Sequence, residues 1–374
     1  MMRPGSEAEL ADAVAGATGP LRVIGGGTRD IGAPVDGDVL SAAGLSGISL
    51  YEPGALTLVA AAGTPLADIE AALASEGQRL AFEPMDHRGL LGTTGVPTIG
   101  GVVAANVSGP RRIQAGACRD SALGVRFVDG RGRVLKNGGR VMKNVTGYDL
   151  VKLLAGSWGT LGVLSEVSLK VQAIPETEAT LVAQGLSAQD GVAALSAALG
   201  SPFDVTGAAW LSDTGEARVR IEGLAASVAY RLKQMGAEIC AGWDVYEGVA
   251  SAALWQEVRD VTPLSGQAGT VWRVSVKPTD APALLNALGD PQAICDWGGG
   301  LVWLLMPEGG DGGAAAVRGA VARLGGHATL VRGSAETRRA VSVFQPEEAG
   351  VARITAGLRA QFDPRGILNP GLMG

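Results

Sequence analysis

Three consecutive glycines, Gly25, Gly26 and Gly27, follow directly on the apolar run Leu21 to Ile24 and lead into Thr28. A short strand that ends this way must turn sharply, because glycine alone enters left-handed backbone regions without steric cost. Such a turn can also aim successive N–H groups at an anion, with no Cβ in the way. The run is not a P-loop, since no Gly-Lys-Ser/Thr follows it. It is not a Rossmann fingerprint either, because the G-x-G-x-x-G spacing and its amphipathic helix are missing. Taken alone, it is either a structural turn or the cradle of a phosphate.

Length and composition narrow the setting. At 374 residues with 47% hydrophobic content, the chain is too long for one ordinary core and predicts two domains or one domain with a large insertion. Mean hydropathy is +0.22, yet no apolar run approaches the ~18 residues of a transmembrane helix. The opening residues, acidic early and without a continuous apolar stretch, do not read as a signal peptide. Cys118, Cys240 and Cys295 are few and widely spaced, which suits a reducing cytoplasm and three incidental thiols rather than a cysteine-held cluster. A net charge of −6 with no long basic run disfavours nucleic acid as a partner. The expectation is a cytoplasmic protein with no metal site.

Periodicity gives the elements. Leu21 to Ile24 and Leu56 to Ala62 read as strands. Thr64 then reads as a helix N-cap with Pro65 at the first helical position, and Leu66, Ile69 and Leu73 form one apolar face. Leu123 to Val128 and Arg133 to Lys136 flank Asp129-Gly130-Arg131-Gly132, a hairpin signal. Tyr148 to Ala155 reads as a helix and Val163 to Val171 as a strand. Around Ile174 to Glu178 the glycine punctuation thins, which places a boundary there. Beyond it, strands at Val219 to Ile221, Trp272 to Val276 and Leu301 to Leu305 alternate with helices at Gln189 to Leu199, Ser227 to Met235, Ala281 to Leu288 and Ala314 to Leu324. The pattern is α+β. Gly309 to Gly313 reads as a loop. A helix from Glu347 to Gln361 and the stiff tail Asp363 to Gly371 close the chain. The expected division is 1–175, 176–335 and 336–374.

Further motifs share the character of the first turn. Pro97-Thr98-Ile99-Gly100-Gly101 runs into a small-residue stretch that includes Ala104 and Ala105, where a cofactor could pass closely. Asn106, Ser108 and Gly109 follow, with Arg111, Arg112, Gly116 and Asp120 close behind. Asn106, Ser108 and nearby backbone amides are candidate donors to a flavin ring or phosphate. Lys143 to Leu150 leads to Gly159-Thr160-Leu161-Gly162-Val163, and Ile367-Leu368-Asn369-Pro370-Gly371 ends the chain.

In this order, these segments resemble the FAD domain of the vanillyl-alcohol-oxidase-like (PCMH-type) flavoproteins. The resemblance covers essentially the whole chain. It implies a PCMH-type FAD-binding domain, a smaller α+β cap domain and a C-terminal segment returning to the FAD domain. It also implies that Gly25 to Asp30 and Pro97 to Gly101 cradle pyrophosphate and flavin, and that Gly159, Thr160, Gly162 and Val163 lie near the adenosine half. Asn369 belongs to the returning segment. Lys143 to Leu150, Gly269 to Ser275, Asp296 to Gly299, Gly325 to Thr329 and the short tail are similar to the E-type FAD-binding subunits of bacterial glycolate oxidase (glycolate dehydrogenase). That resemblance implies a complex with a larger FAD-containing D-type subunit and an iron–sulfur F-type subunit. Such a complex would oxidise glycolate and pass electrons onward, with peripheral attachment to the inner membrane through its partners left open. Any exposed residue among Trp210, Trp243, Trp255, Trp297 and Trp303 would be a candidate partner contact.

Some relatives bind FAD covalently through a histidine in the glycine turn; Thr28 and Arg29 stand there, so the resemblance implies non-covalent FAD. His87 reads as a loop histidine, solvated or supporting. Oxidising a 2-hydroxy acid takes a hydride acceptor, a base for the hydroxyl proton and a cation for the carboxylate. Relatives build the last two around a metal-bound histidine cluster, which a chain with two histidines cannot assemble. His327 as a lone base and Arg273 as a carboxylate binder are the remaining candidates, each with a structural role as its alternative. Trp158 replaces a glutamate that several relatives carry. The chain is therefore expected to bind FAD and to be weakly active or inactive alone. A self-sufficient 2-hydroxy-acid dehydrogenase and a flavin-bearing interaction subunit without turnover stay open. The UDP-N-acetylenolpyruvoylglucosamine reductases share the glycine turn, but the tail from Asp363 argues against them.

Overall fold

The computed structural model describes residues 1–141 and 147–374. Lys143 and Asn144 fall outside the described residues, so the motif that begins at Lys143 is followed here only from Gly147.

Antiparallel pairing dominates. A five-stranded sheet runs β3 (Ile48–Glu52), β4 (Thr57–Ala61), β8 (Val163–Lys170), β6 (Ala122–Val128) and β7 (Val134–Gly138). An eight-stranded sheet runs β13 (Asp244–Glu247), β10 (Thr177–Ala183), β12 (Glu216–Gly223), β11 (Val205–Leu211), β15 (Ala293–Asp296), β16 (Leu301–Met306), β14 (Thr270–Ser275) and β17 (His327–Arg332). Parallel β1 (Leu21–Ile24) and β2 (Asp38–Ser41) form a small sheet of their own, and β5 (Gln78–Arg79) pairs with β9 (Gln172–Ala173). This is the expected α+β architecture. The eight-stranded sheet begins at Thr177, just past the stretch where glycine thins out.

The physical reasons are local. Leu66, Ile69 and Leu73 fall on one face of the helix Leu66–Ala74 and are buried. In β14, Trp272 and Val274 are buried while Arg273 and Ser275, on the opposite face, are half-buried. Asp129, fully buried, holds the hairpin turn by accepting from the amides of Arg131 and Arg133, each at 2.9 Å.

The tail returns to the first strand. Leu21 N–H donates to Ile367 O at 2.7 Å, Asn369 N–H donates to Leu21 O at 3.0 Å, and Ile367 and Leu368 share a core with Leu10, Val14 and Leu40.

One local expectation is corrected. Thr64 does not cap the helix after it: Pro65 precedes Leu66 without a side-chain cap bond. The Thr64 hydroxyl instead donates to Ala61 O at 2.7 Å and accepts from Gly47 N–H at 3.0 Å, because the loop it sits in is buried and its backbone groups need partners. None of the five candidate tryptophans is exposed, so none offers the partner contact that an exposed one would have marked. Trp210, Trp255 and Trp303 are buried, and Trp243 and Trp297 are half-buried.

Candidate functional site

The glycine turn packs against a second piece of chain before it can meet any ligand. A Cβ on Gly26 would lie 1.6 Å from Val96 O, and one on Gly25 would lie 2.4 Å from Thr98 Oγ1. Gly27 has φ +75 with nothing within 4 Å of a Cβ. Two of the three glycines are therefore dictated by packing and the third by backbone conformation. The structural reading of the turn thus has its physical reasons, and it leaves room for a ligand over the same residues.

A cavity of about 350 Å³ opens over this turn. Gly25, Gly26, Gly27, Thr28, Arg29 and Asp30 line it from one side, and Thr98, Gly100, Gly101 and Ala104 from another. Gly159, Gly162, Val163 and Asn369 close it. Thr98 caps the helix Ile99–Ala104, its hydroxyl accepting from Gly101 N–H at 3.4 Å, and Gly100 lies so close to Ala62 that a Cβ would meet that residue's side chain at 2.6 Å. Asn369 fixes the far wall: its Oδ1 accepts from Val23 N–H at 2.7 Å, and its Nδ2 donates to Trp158 O at 2.8 Å and Val23 O at 3.2 Å.

A second cavity, about 630 Å³, adjoins the first and shares Ile31, Ala105 and Trp158 with it. Asn106 and Ser108 line this one rather than the first. So do His87, Arg112, Arg119, Arg273 and His327. Both volumes fall in the roughly 300–1,000 Å³ range of ligand and cofactor sites. Trp158, at φ +53, stands at the join, its ring edge-on to Phe344 at 5.5 Å.

Several residues named from the sequence lie elsewhere. Pro97 uses its carbonyl to accept from Leu66 N–H at 2.8 Å. Gly109 packs against Glu83 O, which a Cβ would meet at 2.2 Å. Gly116 turns the chain at φ +83 beside Asp120, whose carboxylate accepts from Ala117 N–H at 2.9 Å and pairs with Lys152. The Thr160 hydroxyl is buried and donates to Ser157 O at 2.7 Å. None of these five lines either cavity. The Asp30 carboxylate is already paired with Arg22 at 3.0 Å and Arg338 at 2.7 Å. Asn106 Oδ1 and Ser108 Oγ accept from the amides of Arg119 and Cys118, at 3.0 and 2.9 Å.

His87 overturns the solvated alternative of the sequence reading. It is 6% exposed. Arg29 Nε donates to its Nδ1 at 3.2 Å. Burial and the Arg29 charge push its pKa down to about 3, so the ring is neutral, with its proton on Nε2. Arg29 is itself desolvated, which lowers it to about 10, still charged at neutral pH. Among the described residues it meets no carboxylate within 4 Å. Arg273 likewise has no acid within 4 Å there, so the ion pair that was the alternative to carboxylate binding is not formed. Its guanidinium lies 5.4 Å from the centre of the Trp297 ring and 6.0 Å from that of Trp303. His327 is exposed at the cavity edge, and burial of its surroundings together with Arg273 and Arg112 lowers its pKa. Arg112 and Trp297 were not foreseen as site residues. The available signal was an arginine inside a small-residue, glycine-rich segment.

The residues fit a dinucleotide flavin. A glycine turn lacking obstructing side chains, a desolvated cation without an acid partner and two joined cavities are present in one continuous cleft.

Comparison with known proteins agrees. Residues 1–138 match the family described as FAD binding domain. The solved alkyldihydroxyacetonephosphate synthase matches 98% of this chain and 76% of its own at a TM-score of 0.69 and 15% identity, which establishes the fold. The family match and the relatives together define an FAD-binding oxidoreductase subunit. Over 357 residues, 95% of this chain and 92% of the relative, it is 37% identical to the Escherichia coli glycolate oxidase subunit GlcE. The Bacillus subtilis glycolate oxidase subunit GlcD is 36% identical over 132 residues, 35% of this chain and 25% of that protein. The chain belongs to the glycolate oxidase GlcE subunit family.

Proposed function

We propose that this chain is the FAD-binding E-type subunit of a heteromeric complex that oxidises glycolate to glyoxylate and passes the electrons to an iron–sulfur F-type subunit. A larger FAD-containing D-type subunit completes that complex. The near full-length match to a glycolate oxidase subunit is the observation that carries the reading. Gly25 to Thr28 would hold the FAD pyrophosphate with Arg29 as its counter-charge, and the residues around Trp158, where the two cavities join, would meet the flavin ring. The bound flavin supplies the hydride acceptor. The linkage is non-covalent: Thr28 and Arg29 stand in the turn, and the His87 Nδ1 is already occupied by Arg29.

The isolated chain turns over weakly. Its candidate base, His327, is exposed and reduced in basicity, which is unfavourable for drawing a hydroxyl proton. Among the described residues no helix is long and apolar enough to cross a membrane; attachment to the inner membrane through partners is part of this reading. The test is co-expression with affinity capture of this chain. A reconstituted complex should reduce a dye with glycolate, whereas the chain alone should show flavin peaks and little turnover. Full dye reduction by the isolated chain, or a purified chain without flavin, overturns the reading.

A further inference from the structure

We infer that Arg112 and Arg273, both packed on the Trp297 ring, form a carboxylate-binding site for a small hydroxy- or oxo-acid anion. This rests on the flavin-oxidoreductase reading and specifies the substrate class of its second cavity.

The two arginines come from opposite ends of the architecture. Arg112 opens the short helix Arg112–Ala115 in the FAD-binding half, and its guanidinium lies 4.4 Å from the Trp297 ring centre. Arg273 projects from β14, with Trp303 and Thr329 as its cross-strand neighbours on β16 and β17. Trp297 is built to stay where it is. Its φ is +54, its amide donates to Asp296 Oδ1 at 2.7 Å, and its indole Nε1 donates to Gly109 O at 3.1 Å. Gly109 belongs to the FAD-binding half, so that bond fixes the cap's ring against the segment that carries Arg112.

An indole face holds a guanidinium by cation–π attraction and leaves its N–H edge available to an anion. Burial lowers the pKa of both cations; Arg273 also feels the charge of Arg112 against that of Asp296, and Arg112 feels Arg119 against Asp120. Among the described residues neither has an ion-pair partner, and no carboxylate lines this cavity. Neighbouring desolvated cations with no carboxylate in direct contact are costly to maintain. A carboxylate, flat and able to accept two parallel N–H bonds, relieves that cost with matched geometry. Ser275, His327 and Thr329 line the same cavity and offer polar contacts for a hydroxyl or keto group beside the carboxylate.

The test uses the FAD-loaded chain and oxalate, a flat anion with no C–H bond from which a hydride could leave. Calorimetric titration should show oxalate binding, with a change in the visible flavin spectrum. Arg112→Met and Arg273→Met should each weaken that binding by about tenfold or more while keeping the flavin. If Arg273→Met loses its fold, Arg273→Lys serves, since a lysine lacks the bidentate fork, and a severalfold loss is then expected. Absence of oxalate binding to the unaltered chain overturns the inference. So does undiminished affinity in both variants, or equally tight binding of inorganic phosphate. The functional reading fails separately. Arginine-dependent oxalate binding with no bleaching of the flavin by glycolate, in chain or complex, sinks glycolate oxidation and leaves this site standing.

Discussion

Arg111 and Glu222 meet across the seam between the two sheets, Arg111 Nε donating to Glu222 Oε2 at 2.9 Å with both side chains buried. Glu222 also accepts from Arg79, and Glu83 on the FAD-binding side pairs with Arg220 from the cap sheet. Cations and carboxylates alternate here, so each charge taken out of water has partners from the other half. Burial alone would raise the Glu222 pKa, but Arg220 and Arg111 outweigh it and hold the carboxyl far below its ordinary range.

Removing one member leaves the others uncompensated. Glu222→Gln should destabilise the chain by about 3–5 kcal/mol, read as a lower urea midpoint at pH 7. A change below about 0.5 kcal/mol would show that the cluster is solvated. Because this folded pKa is depressed, its stabilisation is present above the ordinary carboxylate pKa of about 4.3 and is lost as pH falls below it. The variant's deficit should therefore shrink on acidification.

His87 titrates in the same direction from a higher starting point. Its folded pKa of about 3 lies below the ordinary 6.5. The unfolded chain then takes up a proton that the folded chain refuses, and stability falls as pH drops from about 6.5 toward 3. The limiting slope is about 1.4 kcal/mol per pH unit. Urea midpoints of the native chain and of His87→Gln between pH 7.5 and 5 give the comparison (the pH limits chosen on the ordinary value of about 6.5). Parallel curves would contradict a neutral buried ring.

The glycine turn offers a contrast within three residues. Gly26→Ala places a methyl where Val96 O already sits. Neither backbone can yield cheaply, so loss of FAD and a large drop in thermal stability are expected. Gly27→Ala meets no atom and incurs only the left-handed backbone cost, about 1–2 kcal/mol. Equal behaviour of the two variants in thermal melts and flavin fluorescence would refute the packing argument.

Asn369 ties the tail to the strand before that turn. Asn369→Ala would orphan Val23 N–H together with the carbonyls of Val23 and Trp158. Each unsatisfied buried group costs about 1–3 kcal/mol. The wall of the first cavity should loosen, with FAD binding weakened by about tenfold or more. Flavin fluorescence titration measures this, and unchanged affinity would separate the tail from the site.

Much of this was legible in the sequence because it is local. Apolar spacing placed Leu66, Ile69 and Leu73 on one helix face, and the run ending at Ile24 was bound to turn at Gly25 to Gly27. Those outcomes depend on side-chain period and on the absence of a Cβ, which any short window of sequence contains. Alternation along Trp272 to Ser275 placed Arg273 opposite Trp272, but it could not say that a cavity faces Arg273. Nor could it foresee that Arg112 and Arg273 would share one indole, or that Arg111 would find Glu222. Thr64 was misread as a cap because the buried carbonyl of Ala61 and amide of Gly47 compete for its hydroxyl. Ion pairs and cavities depend on which distant segments the sheets bring together, and a charge's partner is decided by burial. Sequence therefore determined the elements and the glycine turn, while the tertiary structure decided which charges are neutralised at the seam and which remain unpaired around the second cavity.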